Sequence, residues 1–296
     1  MRLQMKSSDS VYLAIRGLTY HCRCWGAPGQ AKLFLLHGWM DVSASFQFMV
    51  DAFRHPWHVI APDWRGYGLS SRGGGDCYWI PDFLADLDAI LEHFQPTEPV
   101  LLAGHSMGGN VATMYAGIRP QRVARLANME GFGLVDSRPE DAPRRYARWL
   151  DQIRSGARLR DYGSFEELAE KLRANNDRLT HERALFLARH WGAATETGRI
   201  ELRADPGHKL INPVLYRLEE AKACWRAVTA PVLWMQGESS QNASALRMSV
   251  SDRDSRKACF SSLMDRVIPA SGHAIHHDQP ELAAAIIEDF LLGALN

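Results

Sequence analysis

The chain has 296 residues, 46% hydrophobic and 23% charged, with 34 Lys plus Arg against 34 Asp plus Glu. That apolar content can bury a sizeable core, which excludes a disordered chain, and a net charge of zero argues against a nucleic-acid partner, which calls for a basic excess to neutralise phosphates. At ~150 residues per domain the length suits two domains, or one large α/β domain with an insertion, and the expected partner is a small molecule.

The cysteines, Cys22, Cys24, Cys77, Cys224 and Cys259, form no CxxC pair and are odd in number. Neither a zinc ribbon nor a full disulfide framework is expected, and a reducing compartment suits them. Residues 1–10 are charged and alternating, without the ~7–15 apolar residues of a signal peptide, and no window approaches the ~18–20 apolar residues of a membrane span. The expectation is a soluble cytoplasmic protein with no membrane partner; a homodimer stays open.

In chain order, residues 11–15 and 18–24 alternate around Gly17, as an antiparallel hairpin does. The pattern then changes to unbroken apolar runs, residues 32–36 ending in His37-Gly38 and residues 57–61 ending in Pro62-Asp63. Such runs mark strands covered by helices on both faces of a parallel sheet. Residues 99–103, 123–129 and 231–235 and Val267-Ile268 continue the series.

Between them, Phe83, Leu84, Leu87, Ile90, Leu91 and Phe94 share one helix face, and Leu282, Ile286 and Phe290 repeat the spacing after Pro280. The alternation predicts a mostly parallel α/β sheet with helices on both faces. From about Gly133 to Arg226 no strand-like run appears. Ser164 and Glu167 read as a capping box before Phe165, Leu168, Ala169 and Leu172, and Thr180 opens another helix. Residues 133–226 are therefore expected to form an α-helical cap inserted into a core of residues 1–132 and 227–296. Gly73-Gly74-Gly75 marks a flexible surface loop.

Gly104-His105-Ser106-Met107-Gly108 lies between an apolar strand and a helical segment, the context in which GxSxG means a nucleophile elbow. Ser106 is the candidate nucleophile. A helix N-terminus behind it favours a developing oxyanion, and the backbone N–H groups of Trp39, after His37-Gly38, and of Met107 are the candidate oxyanion hole. Asp63 and Arg65, in the loop DWRGYGLS, could pair to hold that loop.

A serine hydroxyl needs a base, and His273 stands in the late Gly-His position after the last strand. His276 and His277 lie close by, but without HExxH or a cysteine partner a loop or helix-start role is preferred to a metal site. Asp278 with Pro280 is read as opening the final helix. The acid is open. Gln236-Gly237-Glu238-Ser239-Ser240 carries serine at 240, where an aspartate would be sought, and Glu130 ends the strand after the nucleophile helix, at the carboxyl edge where open α/β sheets place ligands. Glu130 is preferred to orient His273, with Glu238, and then Asp252 or Asp254, as alternatives.

HGW, DWRGYGLS, GHSMGG and the late GH, in this order, resemble the α/β-hydrolase superfamily over essentially the full chain. HGWMD, GHSMGGNVA and MEGFG look more narrowly like the serine-hydrolase-like branch near epoxide hydrolases and haloalkane dehalogenases. The resemblance implies an eight-stranded sheet, a helical cap after the sixth strand and no cofactor. Some relatives carry the acid after that strand, which supports Glu130. Those neighbours use an aspartate nucleophile, whereas this chain has Ser106, and the halide-binding Asn and Trp are replaced by Trp39 and Met107. Ring-cleavage C–C hydrolases use serine, but their Gly-Pro-Gly loop is absent.

Residues 133–218 hold 16 Lys plus Arg against 13 Asp plus Glu. That slight excess tilts the substrate expectation toward neutral or anionic molecules. Trp149, Tyr162, Phe186, Trp191 and Tyr216 are read mainly as cap core, and the polar stretches 205–209 and 212–217 as candidates to contact a substrate head group. The expected activity is hydrolysis of a small carboxylic ester, lactone or thioester by Ser106, His273 and Glu130, with no metal or cofactor. A C–C hydrolase and a non-catalytic binding protein of the same fold are the alternatives.

Overall fold

The computed structural model describes residues 5–75, 77–241 and 248–295; the first four residues of the segment weighed above as a leader lie outside them. Strands β1 (Ser8–Ile15) and β2 (Leu18–Trp25) form the expected hairpin. Its two turn residues, Arg16 at φ 50° and Gly17 at φ 79°, are both left-handed, the turn that matches the twist of paired strands. There follow β3 (Ala31–Leu36), β4 (Trp57–Pro62), β5 (Val100–His105), β6 (Val123–Met129), the short β7 (Gly192–Ala194) and β8 (Ile200–Leu202), then β9 (Val232–Gly237) and β10 (Leu263–Ile268).

Eight of these build one sheet in the order β1-β2-β4-β3-β5-β6-β9-β10. The pairs β1·β2 and β2·β4 are antiparallel, and every pairing from β4 across to β10 is parallel. The chain runs outward from β3 to β4, then returns to place β5 on the other side of β3. Ligands of open α/β sheets bind at such a reversal, beyond the carboxyl ends of the two strands.

The unbroken apolar runs feed two cores at once. Leu33 and Leu35 join one cluster with Phe46, Met49, Ile287 and Phe290, whereas Phe34 and Leu36 join another with Leu87, Ile90, Val111 and Tyr115. Successive strand side chains point to opposite faces, so a strand covered on both sides has no polar position to alternate with. Each large side chain buried this way contributes ~1.5–3 kcal/mol. Helix α1 (Gln47–Ala52) and the final helix Pro280–Leu291 cover the first face; α2 (Ile80–Phe94) and α3 (Met107–Ile118) cover the second.

Between β6 and β9 lie α4 (Ala142–Ser155), α5 (Phe165–Asn175), α6 (His181–Trp191) and α7 (Leu218–Arg226). The segment is not purely helical as expected, because β7 and β8 pair antiparallel within it. Three residues per strand are too few for an alternating pattern to register. Tyr162, Leu168, Leu172, Ala184, Leu187 and Ile200 form a third apolar cluster drawn from this segment. Thr180 caps α6 through Arg183 N–H at 3.2 Å, as read from the sequence. Ser164 caps α5, but the box does not close: the Glu167 carboxylate takes the N–H of Gly163 at 2.6 Å and the Arg160 guanidinium at 2.8 Å instead.

The loop after β4 also departs from expectation, since Asp63 and Arg65 do not pair. Arg65 reaches Asp86 on α2 with Nε–Oδ2 at 2.5 Å and a second N–H to Oδ1 at 2.7 Å. Asp63 instead accepts from His21 Nδ1 at 2.7 Å, Ser43 N–H at 2.7 Å and Leu69 N–H at 2.9 Å. Gly68 lies so close that a Cβ would stand 2.1 Å from the Asp63 carboxylate. The loop thus folds around one buried carboxylate.

Burial would raise the Asp63 pKa, but the hydrogen bond and charge of His21 and the Leu69 N–H outweigh it and hold the group at about 2, below its ordinary 3.8. A depressed carboxylate stabilises the fold fully above its unfolded pKa, and that contribution is lost as pH falls through the folded value. The stability difference between the wild type and Asp63→Asn, from urea unfolding, is expected to shrink by about 2 kcal/mol between about pH 5 and pH 2. A flat difference would contradict the assignment.

Candidate active site

Ser106 stands between β5 and α3, as the N-cap of the helix, with φ 50° and ψ −113°, a left-handed conformation that costs a non-glycine residue energy. Its neighbours leave no alternative. A Cβ on Gly104 would stand 2.6 Å from the Gly108 backbone, and one on Gly108 would stand 2.2 Å from the Leu36 carbonyl oxygen. The two strands and the helix therefore meet backbone to backbone, and the serine is turned out at the switch point. Gly38 completes the packing, since its Cβ position is 3.3 Å from Ser106 Cβ. That contact brings the chain entering Trp39 alongside Ser106. Met107 is the first residue of α3, where backbone N–H groups have no intrahelical acceptor.

Glu130 follows β6 at φ 61°, and its side chain is buried beneath β9. Oε1 accepts the Gly237 N–H at 2.7 Å, and Oε2 accepts the Ser240 hydroxyl at 2.7 Å. Oε2 also accepts from His273 Nδ1 at 3.1 Å. Because the carboxylate can only accept, the Nδ1 proton is assigned by this bond, leaving the lone pair on Nε2. The imidazole is held at one end and 40% exposed at its side chain.

The other candidate acids are elsewhere. Glu238 is exposed and accepts the Ala270 N–H at 3.1 Å. Asp252 closes a capping box with Ser249 on the helix Val250–Lys257, and Asp254 lies on the same helix. Asp278 does not cap the final helix either: its carboxylate takes the Gly272 N–H at 2.7 Å and the Asn176 amide at 2.7 Å, bracing the segment that carries His273. Pro280 does stand in the first turn of that helix.

Some contributors were not anticipated. Serine at 240, noted above as a departure, supplies a hydrogen bond to Glu130 from the place where an acid was sought. Asn128, buried, bonds Thr113 of α3 at 2.9 Å and both the N–H and carbonyl of Gly131 at 2.8 Å, tying α3 to the Glu130 turn. His105 donates from Nε2 to the His273 carbonyl at 2.9 Å, so the residue before Ser106 holds the backbone of His273. Burial first, then His276 and His273, push the His105 pKa well down, so it acts as a neutral donor. No pattern in the sequence signals that role.

The segment between β6 and β9 fastens to the loops around this edge. Trp39 Nε1 bonds the His208 carbonyl at 3.1 Å, Trp191 Nε1 bonds Ser45 at 3.0 Å, and Arg183 bonds the His277 carbonyl at 3.2 Å. His208, proposed above as a head-group contact, is buried between Tyr67 and Tyr78 with ring centroids at 3.8 and 3.7 Å. Burial pushes its pKa down to about 3, and it bonds the Arg65 carbonyl at 3.1 Å. The stretch 205–209 thus anchors the insertion to the loop after β4. Among the described residues, Asp41, His105 and His276 are grouped closely enough to ligate a metal ion.

Compared with known proteins, the model of the α/β hydrolase fold family matches residues 33–280. The chain belongs to the α/β-hydrolase fold family. A serine hydrolase-like protein of Danio rerio is similar at 26% identity, over 90% of this chain and 83% of its own. Epoxide hydrolase 4 of Mus musculus is 31% identical over 37% of this chain and 31% of its own. Among solved structures, a thioesterase domain from the curacin biosynthetic pathway superposes with a TM-score of 0.84 at 22% identity, covering 95% of this chain and 99% of that one, a likeness of fold. No helix among the described residues is long and apolar enough to cross a membrane.

The glycine contacts carry a prediction. Gly108→Ala must displace either α3 or the end of β3, since the new Cβ would meet backbone rather than a movable side chain. A displacement of about 1 Å at a reacting centre can cost about a hundredfold in rate. Fluorophosphonate labelling of Ser106 is expected to slow by about that factor in Gly108→Ala, with circular dichroism confirming that the variant remains folded; labelling at the wild-type rate would refute the packing argument.

Proposed function

We propose that the protein is a serine hydrolase acting on a small carboxylic ester, lactone or thioester through an acyl-enzyme. The observation that carries the reading is the hydrogen bond from His273 Nδ1 to buried Glu130, on a histidine tied through His105 to the Ser106 turn. A histidine so oriented can take the Ser106 proton at Nε2 as the hydroxyl attacks the carbonyl carbon. Glu130 then stabilises the imidazolium without accepting the proton itself.

The N–H groups of Trp39 and Met107 would receive the oxyanion, helped by the positive end of α3. Collapse of the tetrahedral intermediate expels the alcohol or thiol, protonated by His273. Water, activated by the same imidazole, then releases the acid and restores Ser106. The thioesterase fold neighbour makes thioesters a sensible arm of the substrate panel. Residues 133–226 would serve as the cap over this site, with the remaining chain as the catalytic core, and no cofactor is required.

The test is turnover of p-nitrophenyl esters of graded length, lactones, acyl thioesters and a vinylogous diketone. Ser106→Ala is expected to abolish turnover and fluorophosphonate labelling. Glu130→Ala is expected to lower kcat by about 10³–10⁴-fold, as when the residue orienting a catalytic histidine is disabled, with Glu238→Ala near wild type. The reverse ranking would move the acid to Glu238. Diketone cleavage with negligible ester turnover would favour a C–C hydrolase, and folded protein that neither labels nor turns over would favour a binding role.

A further inference from the structure

Behind the serine turn, three elements bring together side chains that no step of the proposed reaction uses as proton donor or acceptor. Asp41 comes from the loop after β3, His105 from the end of β5, and His276 from the short helix Ile275–Asp278. They are 5%, 6% and 0% exposed, and each offers a ligand atom within 4.8 Å of the others.

Each side chain keeps an oxygen or nitrogen outside its hydrogen bonds. Asp41 Oδ1 accepts the Val42 N–H at 2.8 Å and the Ser45 hydroxyl, while Oδ2 stands 3.6 Å from His276 Nε2, an ion-pair distance longer than a hydrogen bond. His105 commits its Nε2–H to the His273 carbonyl, which leaves the lone pair at Nδ1. Among the described residues, His105 Nδ1 and both ring nitrogens of His276 are buried without a hydrogen-bond partner. Buried polar atoms are ordinarily satisfied, so Nδ1 of His105 and Nδ1 of His276, left over beside the Asp41–His276 ion pair, call for an explanation. A ring that gives one N–H to a backbone carbonyl and keeps the other nitrogen for a ligand is how metal-binding histidines are usually held.

We propose that Asp41, His105 and His276 form a binding site for a divalent first-row transition ion, with Zn2+ the best suited, and that its occupancy restrains Ser106. Two imidazole nitrogens and one carboxylate oxygen suit zinc, whereas magnesium and calcium favour all-oxygen sets. The HxxHH spacing does not make the site; its partners to His276 come from the loop after β3 and the end of β5. Ligand atoms of tetrahedral zinc lie ~3.3 Å apart, so binding must draw these groups inward. His105 precedes Ser106 and holds the His273 carbonyl, and His276 lies three residues beyond His273, so the contraction moves both sides of the Ser106–His273 pair.

The restraint rests on the hydrolase reading; the binding does not. Equilibrium dialysis with Zn2+, after alkylation of accessible cysteines, is expected to give one ion per chain in the wild type and in Ser106→Ala. Affinity should fall at least tenfold in both Asp41→Asn and His276→Gln. Zn2+ should slow fluorophosphonate labelling of wild-type Ser106 at least tenfold, and should do so much less in His276→Gln. Absence of binding, or affinity unchanged in both variants, overturns the site; site-dependent binding that leaves labelling unaffected overturns the restraint. Should the variants fail to fold, the Co2+ spectrum of the unaltered protein decides, because a thiolate charge-transfer band would place the ion on cysteine and overturn the assignment.

Discussion

The candidate site depends on one steric constraint, the contact of the Leu36 carbonyl with the Gly108 backbone, where a single methyl group would stand 2.2 Å from oxygen. Parallel strands β3 and β5 are neighbours, yet the helix after β5 must start directly against the loop after β3. Glycine at 104 and 108 lets those backbones close, and glycine at 38 leaves room for the His105 and Ser106 side chains. Closure forces Ser106 into the left-handed region and sets the Trp39 loop beside it. The strain at Ser106 is held by this packing together with its backbone hydrogen bonds, N–H to the Met129 carbonyl at 2.8 Å and carbonyl from the Asn110 N–H at 2.9 Å.

The second organising element is the buried Glu130 carboxylate. A charge removed from water needs donors in its place, and Gly237 N–H, Ser240 hydroxyl and His273 Nδ1 provide them. Two of the three come from the end of β9 and the turn after it, so the carboxylate that follows β6 and the end of β9 work as one unit. That arrangement explains serine at 240: with the carboxylate arriving from Glu130, the position after β9 has to donate rather than accept. Asn128 couples the Glu130 turn to α3, so Ser106 and Glu130 are positioned by one connected network.

The loop after β4 shows a different use of buried charge. Asp63 gathers His21, Ser43 and Leu69, and Arg65 reaches across to Asp86. Neighbours in sequence were natural candidates to pair, but each is better served by a partner brought in by the sheet. His208 then stacks between Tyr67 and Tyr78, so the inserted segment is fastened to that same loop.

Local pattern alone made part of this fold legible in the chain. Unbroken apolar runs marked strands buried on both faces, the 3.6-residue period marked α2 and the final helix, and GxSxG between strand and helix marked Ser106. The late Gly-His marked His273, and the strand-end position favoured Glu130 without separating it from Glu238, Asp252 and Asp254. Three-residue strands β7 and β8 were too short to carry a period. The hydrogen bond that joins His273 to Glu130 spans 143 residues of chain. That bond, like those of Ser240 to Glu130 and His105 to His273, comes from the tertiary structure, because such contacts depend on strand order and on which loops meet at one sheet edge, and neither quantity is written in the spacing of neighbouring residues.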